Sequence, residues 1–152
     1  FGVRLLNVTA GNPYVNPHVN RPYDMGNYIP DEHPLVGVGR ITGFAAAMQK
    51  AFPDMAVVAS GLSYLRQYAP LAAAGLIEAG QSALVGFGRL AFADADFARY
   101  MLQGGELDTK KVCVTCGQCA RLLRAGIPAE CVVRDRDVYR RVEEIAEKAV
   151  RA

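Results

Sequence analysis

The chain has 152 residues, about half of them apolar and 21% charged, which is enough length for one globular domain with a buried core. Its formal net charge of +2 is too small to favour nucleic acid or an anionic membrane as a partner. No apolar run reaches the roughly 18 residues of a membrane-spanning helix, and no secretory signal opens the chain.

The chain starts at Phe1 without a methionine, and a short buried strand is predicted soon afterwards, over residues 5–10. From this start we expect the chain to be a fragment or a processed piece of a larger protein. Residues 11–34 follow as a long polar loop with five prolines, four asparagines and both histidines. Loops of that length inside a compact domain are usually functional or disordered. For His18 and His33 the plainest expectation is a solvated loop position.

Strands and helices then alternate. The apolar pattern predicts a helix over 34–52, a strand over 56–61, a helix over 63–80 with an interruption near Pro70, and a strand over 83–89. Such alternation is typical of a parallel sheet with right-handed crossovers. Strands that are apolar on both faces fit a sheet covered by helices. The glycines at 37, 39 and 43 lack the spacing of a dinucleotide-binding fingerprint. The predicted fold class is α/β.

Two successive predicted strands end on similar residues, Ser60-Gly61 and Gly86-Phe-Gly88-Arg89. Glycines at strand ends let backbone N–H groups approach an anion, and an arginine adds a forked, charge-assisted hydrogen bond. The alternative is that the glycines only turn the chain, while Arg89 caps a helix or pairs with Asp94. The residues by themselves leave both interpretations open.

After these strands we expect Asp94 to cap a helix that carries 97–102 and ends at Gly104-Gly105. All four cysteines of the chain follow within nineteen consecutive positions, at 113, 116, 119 and 131. Three cysteines at two-residue spacing can surround one inorganic cluster, with Gly117 allowing a tight bend, and a fourth completes the set for a cubane iron–sulfur cluster. Zinc, a redox disulfide and plain buried thiols are the alternatives.

The remainder of the chain is predicted to be helical and charged. A short helix is expected over 120–124, and a last helix over about 137–150. Its charged side chains most simply form a solvated face. Clustered cysteines without an export signal indicate a reducing compartment, and we therefore expect a cytoplasmic protein.

Residues 57–89 together with 112–119 resemble the C-terminal part of the Old Yellow Enzyme flavoproteins. The similarity is to the iron–sulfur branch, which includes 2,4-dienoyl-CoA reductase and trimethylamine dehydrogenase. Three features carry it: the strand Leu84-Val-Gly-Phe-Gly-Arg89, the turn Gly104-Gly-Glu-Leu-Asp108, and the cysteine loop. The resemblance extends over about 5–139.

This resemblance implies that residues 1–109 are the C-terminal part, about strands 6–8, of a flavin-binding (β/α)8 TIM barrel. Residues 110–152 would be a cluster loop and a terminal helix. The implied cofactors are FMN and a [4Fe–4S] cluster. The FMN phosphate would be bound by Ser60, Gly61, Gly86, Gly88 and Arg89. The cluster would be bound by Cys113, Cys116, Cys119 and Cys131.

The implied reaction is reduction of an activated carbon–carbon double bond, in an enoate or enoyl thioester, with NAD(P)H as the ultimate donor. The cluster would relay electrons between FMN and another redox centre, which makes a redox partner domain an expected partner. The loop after the first strand would overhang the substrate side of the flavin with Tyr14, His18, Asn20 and Arg21.

Relative to that family, five barrel strands are missing upstream, together with the substrate-polarising pair and the proton-donor tyrosine. We therefore expect no catalytic acid or base in this chain, which would be inactive without the N-terminal part of the barrel. If isolated, it should self-associate through the open sheet edge. The alternative function is a non-catalytic four-cysteine module, structural or electron-transferring, that holds zinc or an iron–sulfur cluster.

Overall fold

The structure, a computed structural model, describes residues 2–12, 15–23, 29–139, 141, 142 and 144. Three short parallel strands form a sheet in the order β1–β2–β3, comprising Leu5–Asn7, Ala56–Ala59 and Leu84–Val85. In the ladder Leu6 pairs with Val57, and Ala59 pairs with Val85. The predicted α/β class with a parallel sheet is confirmed.

Helices connect the strands. α1 (Pro17–Asn20) lies in the stretch that was predicted as a loop. α2 (Pro34–Ala51) starts at its predicted residue and ends one residue before its predicted end. The N–H of Leu35 donates to His33 Nδ1 at 3.2 Å, so that exposed histidine caps α2. A 3-10 stretch, Leu62–Tyr68, and then α3 (Ala69–Glu78) join β2 to β3.

Both long helices cover the same face of the sheet. Val57 and Ala59 are fully buried there, against Ala45 of α2 and Leu76 of α3. Right-handed crossovers that add each new strand on the same side place every connecting helix on one face. The order β1–β2–β3 therefore dictates this one-sided cover.

The opposite face of the sheet is uncovered in the described part of the chain. Side chains alternate along a strand, so Leu5 and Leu84 point away from the helices, and they are 57% and 47% exposed. Parallel sheets normally have both faces buried. The sheet thus presents an apolar face that its own helices do not protect.

Several local predictions were wrong in detail. The buried strand predicted over 5–10 is only Leu5–Asn7, and Leu5 is exposed. The helix predicted over 63–80 is interrupted at Arg66 (φ 54°, ψ −125°) and not at Pro70. Pro70 lies in the first turn of α3, where proline is tolerated. The strand predicted over 83–89 ends at Val85, since Arg89 already begins a helix. Asp94 accepts from the N–H of Asp96 at 3.1 Å and lies two residues before the N-cap of the next helix, which is Asp96.

Three short helices follow the sheet: α4 (Arg89–Ala93), α5 (Phe97–Leu102) and α6 (Gln118–Arg124). Residues 107–139, here called the cysteine segment, pack through two small apolar clusters. One joins Leu107 and Val112 to Leu90, and the other joins Leu122 to Val132. Residues 136–139 are helical, and most of the helix predicted over 137–150 lies outside the described residues. Nowhere in the described ranges is a helix long and apolar enough to cross a membrane.

Candidate functional site: two cavities that share a wall

The carboxyl ends of β2 and β3 open into a cavity, here called the strand-end cavity. Parallel strands all end at the same edge of their sheet, so residues that follow different strands meet there. Ser60 and Gly61 follow β2, while Gly86, Gly88 and Arg89 follow β3. All five line this one cavity, with Asn20, Arg21, Ser63, Phe92, Cys119, Ala120 and Leu123.

The three glycines of this cavity differ in whether their backbone conformation or their neighbours exclude a larger residue. Gly61 has φ 91°, and a Cβ there would lie 3.2 Å from Ile41 Cδ1. At Gly86 a Cβ would lie 3.3 Å from Val58 Cγ1. Gly88 has an ordinary φ of −83°, and a Cβ there would meet nothing within 4 Å. The fold itself explains the first two glycines, whereas the third leaves open space beside the cavity.

Ser60 is already engaged in the fold. Its Oγ donates to the carbonyl of Val8 at 3.1 Å, which ties the end of β2 to the residue after β1. The hydroxyl hydrogen is therefore used inside the protein. An anion in this cavity would have to draw its hydrogen bonds from backbone N–H groups and from arginine.

Arg89 holds a buried charge that is only partly satisfied. Its Nη2 donates to the carbonyl of Pro22 at 3.1 Å, while Nη1 is buried without a hydrogen-bond partner in the described structure. No ion pair joins Arg89 to Asp94 among the described residues. Burial lowers the pKa of Arg89, and the nearby Cys113 and Cys119 counteract that shift. A buried guanidinium of this kind calls for a negatively charged neighbour.

A second cavity, here called the cysteine cavity, lies on the other side of Arg89. It contains all four cysteines, which are free thiols. Its lining residues are Arg89, Phe92, Cys113, Val114, Cys116, Gly117, Gln118, Cys119, Cys131 and Val132. The fold thus gathers four thiols that are separated by up to eighteen positions in sequence. Within the described residues, no three His, Cys, Asp or Glu side chains are arranged around a single metal-ion position.

The backbone of the cysteine loop bends sharply. Gly117 has φ 78° and precedes α6, in agreement with the bend expected there. Thr115 also has a positive φ, of 54°, which is unusual for a β-branched residue. Its N–H donates to Cys113 Sγ at 3.3 Å, and its side chain is fully buried with Oγ1 unpartnered in the described structure. Strain and an unpaired hydroxyl therefore coincide beside the thiols.

The thiols lie in a low-polarity environment with a cation beside it. Burial raises the pKa of Cys113, while the Thr115 N–H and the Arg89 charge act in the opposite direction. Burial likewise raises the pKa of Cys119, followed by repulsion from Cys113, with Arg89 opposing both. Four thiols thus line one cavity beside the Arg89 charge, without being arranged around a single metal-ion position in the described residues.

The loop residues predicted to overhang the site divide into two groups. Asn20 and Arg21 line the strand-end cavity. His18 lies instead against the start of α2, with Nε2 3.9 Å from both Asp31 Oδ1 and Glu32 Oε1. Tyr14 lies outside the described residues.

Sequence reasoning missed three residues of the site: Phe92, Thr115 and Arg134. Phe92 follows Arg89 by three positions, and its place in both cavities became visible only once α4 was known. Thr115 stands between two cysteines, but its positive φ leaves no mark in the sequence. Arg134 donates to the carbonyl of Val112 from Nε at 3.2 Å and from Nη2 at 2.7 Å, a contact between distant segments that no local pattern predicts.

No family model, curated protein or solved structure matches the chain.

Proposed function

We propose that this chain contributes part of an FMN-dependent oxidoreductase of the Old Yellow Enzyme type, with a [4Fe–4S] cluster on its four cysteines. The substrate class is an activated carbon–carbon double bond in an enoate or enoyl thioester, with NAD(P)H as the ultimate electron donor in a reducing compartment such as the cytoplasm. No residue of this chain is assigned as a catalytic acid or base.

One observation carries the proposal: the strand-end cavity and the cysteine cavity share a wall. Arg89, Phe92 and Cys119 line both of them. An anion-binding edge and a four-thiol cavity placed side by side are what an electron relay between a phosphate-bearing cofactor and a metal cluster requires. The unpartnered Nη1 of Arg89 supports the presence of negative charge at this wall.

The sheet supports the barrel component of the proposal. Three parallel strands in sequential order, with both helices on one face, are the arrangement that an arc of a (β/α)8 barrel would require. In such an arc the exposed residues Leu5 and Leu84 would face the barrel interior and pack against further strands. Phosphate groups in these barrels are commonly bound at the loops after strands 7 and 8, which under this proposal would be the ends of β2 and β3.

In this assignment each residue has a limited task. Gly88 leaves space for the phosphate, Arg89 offsets its charge, and the four thiolates hold the cluster. Bound FMN would supply hydride chemistry, and the cluster would supply one-electron transfer. Burial raises the pKa of Cys113, and the Thr115 N–H and the Arg89 charge partly offset that rise in favour of the thiolate, the form that binds metal.

Anaerobic reconstitution with iron and sulfide tests the cluster. We expect about four iron and four sulfide per chain, as a cubane with four thiolates requires. Replacement of each cysteine by serine should lower the iron content. A protein that takes up one zinc and no iron would instead be the non-catalytic zinc module, and the redox proposal would be wrong.

Inorganic phosphate tests the strand-end cavity independently of the cluster. Phosphate should shift the backbone amide NMR signals of Gly61 and Gly88, and Arg89→Gln should weaken its binding by roughly 1.5–3 kcal/mol, the value of a hydrogen bond to a charged group. Arg66→Gln, which removes an exposed arginine from the same side of β2, is the matched control. Equal phosphate affinity in Arg89→Gln and the wild type would exclude Arg89 from the site.

A further inference from the structure

Cys131 reaches the cysteine cavity from a segment that packs in a different apolar cluster from the residue next to Cys113. Cys113 follows directly after Val112, which packs with Leu90 and Leu107. Cys131 precedes Val132, which packs with Leu122 in a different apolar cluster. Something must hold the two clusters in register if the four thiols are to act as one ligand set.

Arg134 makes that connection. The N–H groups of Arg134 and Asp135 donate to the carbonyl of Cys131 at 3.2 and 2.9 Å, so Arg134 belongs to the turn that Cys131 begins. Its guanidinium donates twice to one acceptor, the carbonyl of Val112, from Nε at 3.2 Å and from Nη2 at 2.7 Å. Val112 is 2% exposed and immediately precedes Cys113. The two hydrogen bonds thus link the residue before one thiol to the turn after another.

The chemistry of this contact explains why an arginine serves here. A buried carbonyl without a donor is costly, and a charged donor makes a stronger bond than a neutral one. The planar guanidinium also fixes a direction, because two of its N–H groups converge on the same oxygen, whereas a lysine has a single flexible ammonium. A contact of this kind restrains position as well as adding stability.

We propose that Arg134 is a positioning residue that sets the place of Cys131 in the ligand set, by anchoring its turn to the carbonyl of Val112. The inference rests on the proposed function in so far as the four thiols are taken as ligands. The geometric part, that Arg134 holds Cys131 near Cys113, applies to the metal-free protein as well.

Cross-linking of thiol pairs in the metal-free protein tests the geometric part. In a Cys116→Ser, Cys119→Ser background, only Cys113 and Cys131 remain, and a short bifunctional thiol reagent reports their proximity. Arg134→Met should lower the cross-linked yield by about tenfold or more, the effect of losing hydrogen bonds from a charged group. Arg134→Lys, which keeps one donor, should restore part of it. Arg136→Met removes a neighbouring exposed arginine and should have no effect.

A second pair separates positioning from a general loss of structure. In a Cys119→Ser, Cys131→Ser background, Cys113 and Cys116 remain, and both belong to the loop that precedes α6. Their cross-linking should be the same with and without Arg134→Met. If Arg134→Met reduces both pairs equally, its role is general stability and the positioning inference is wrong. Unchanged yield for the Cys113–Cys131 pair would overturn it as well.

Iron analysis of the four-cysteine protein then connects the inference to the proposed function. Arg134→Met should lower the iron content from about four to about three or fewer per chain, because one ligand is displaced. Iron content equal to that of the wild type would refute the role in ligand placement. If the wild type itself binds no iron, the proposed function fails, while the cross-linking result still decides the role of Arg134.

Discussion

The sheet with its two long helices and the cysteine segment are held together by different means. In the sheet region, four side chains of α2 and β2 are fully buried: Ile41, Ala45, Val57 and Ala59. The cysteine segment packs through two small clusters and directs four free thiols and the unpartnered Thr115 hydroxyl inward. Apolar burial specifies the first region, whereas the second, under the proposed function, would gain much of its stability from a bound group.

Matched core truncations should reveal this difference with the largest effect. Leu62 lies in the sheet region and Leu122 in the cysteine segment, and each is 1% exposed. Leu62→Ala should lower the free energy of unfolding by about 2–5 kcal/mol. Leu122→Ala should chiefly raise amide hydrogen exchange within 107–139, with a smaller change in global unfolding. If both variants lower the global unfolding free energy equally, the two regions form one cooperative unit.

Reconstitution with iron and sulfide should change the two regions unequally. A group present at 100 times its dissociation constant stabilises the state that binds it by about 2.7 kcal/mol, or about 100-fold in hydrogen-exchange protection. We expect that gain for the amides of the cysteine segment, with the strands β1–β3 little changed. Mass-spectrometric hydrogen exchange measures both at once. A gain spread evenly over the whole chain would contradict the division into two regions.

Two glycines near the boundary between the regions should respond with opposite signs. Gly61→Ala should destabilise the protein by about 1–3 kcal/mol, because its φ of 91° is unfavourable for a residue with a Cβ. Gly88→Ala should be neutral or stabilising by about 0.4–1 kcal/mol, because its φ of −83° suits alanine. Yet Gly88→Ala should weaken phosphate binding. Unchanged phosphate affinity in that variant would remove Gly88 from the anion site.

The smallest expected effect concerns the loop that joins β1 to α2. Arg40 Nη1 donates to Glu32 Oε1 at 2.9 Å, and Nη2 bonds Oε2. The hydrogen bond from Arg40 lowers the pKa of Glu32 below its ordinary value of 4.5. Because a lowered carboxyl pKa stabilises the folded state above the ordinary value, this contribution should disappear as the pH falls from about 4.5 through the lower, folded pKa.

For this partly exposed pair, Glu32→Gln should cost about 0.5–1 kcal/mol at neutral pH, less in high salt. Chemical denaturation of the wild type and the variant over a range of pH measures the difference. The two stability curves should converge at low pH. A gap that persists below the folded pKa would mean that the pair does not act through its charge.

Apolar patterning was sufficient to predict the α/β class, the parallel sheet and the extent of α2, because burial periodicity is a property of local sequence. The convergence of residues after β2 and β3 was also predictable, since parallel strands end at one edge. The kink at Arg66 and the positive φ of Thr115 were not predictable, because an arginine or a threonine in that conformation is imposed by packing. Nor was the contact between Arg134 and Val112, which joins positions twenty-two residues apart.

Arg89 lines both cavities, so the same positive charge contributes to the electrostatic potential in each of them. Its positive charge attracts negative charge in either cavity. An anion bound in one cavity therefore reduces the positive potential that Arg89 produces in the other. Thermodynamic linkage makes this influence reciprocal: if phosphate at the strand ends makes an added electron in the cysteine cavity less favourable, that electron weakens phosphate binding by the same factor. A change of charge state in one cavity would thereby be transmitted to the other without any movement of the backbone.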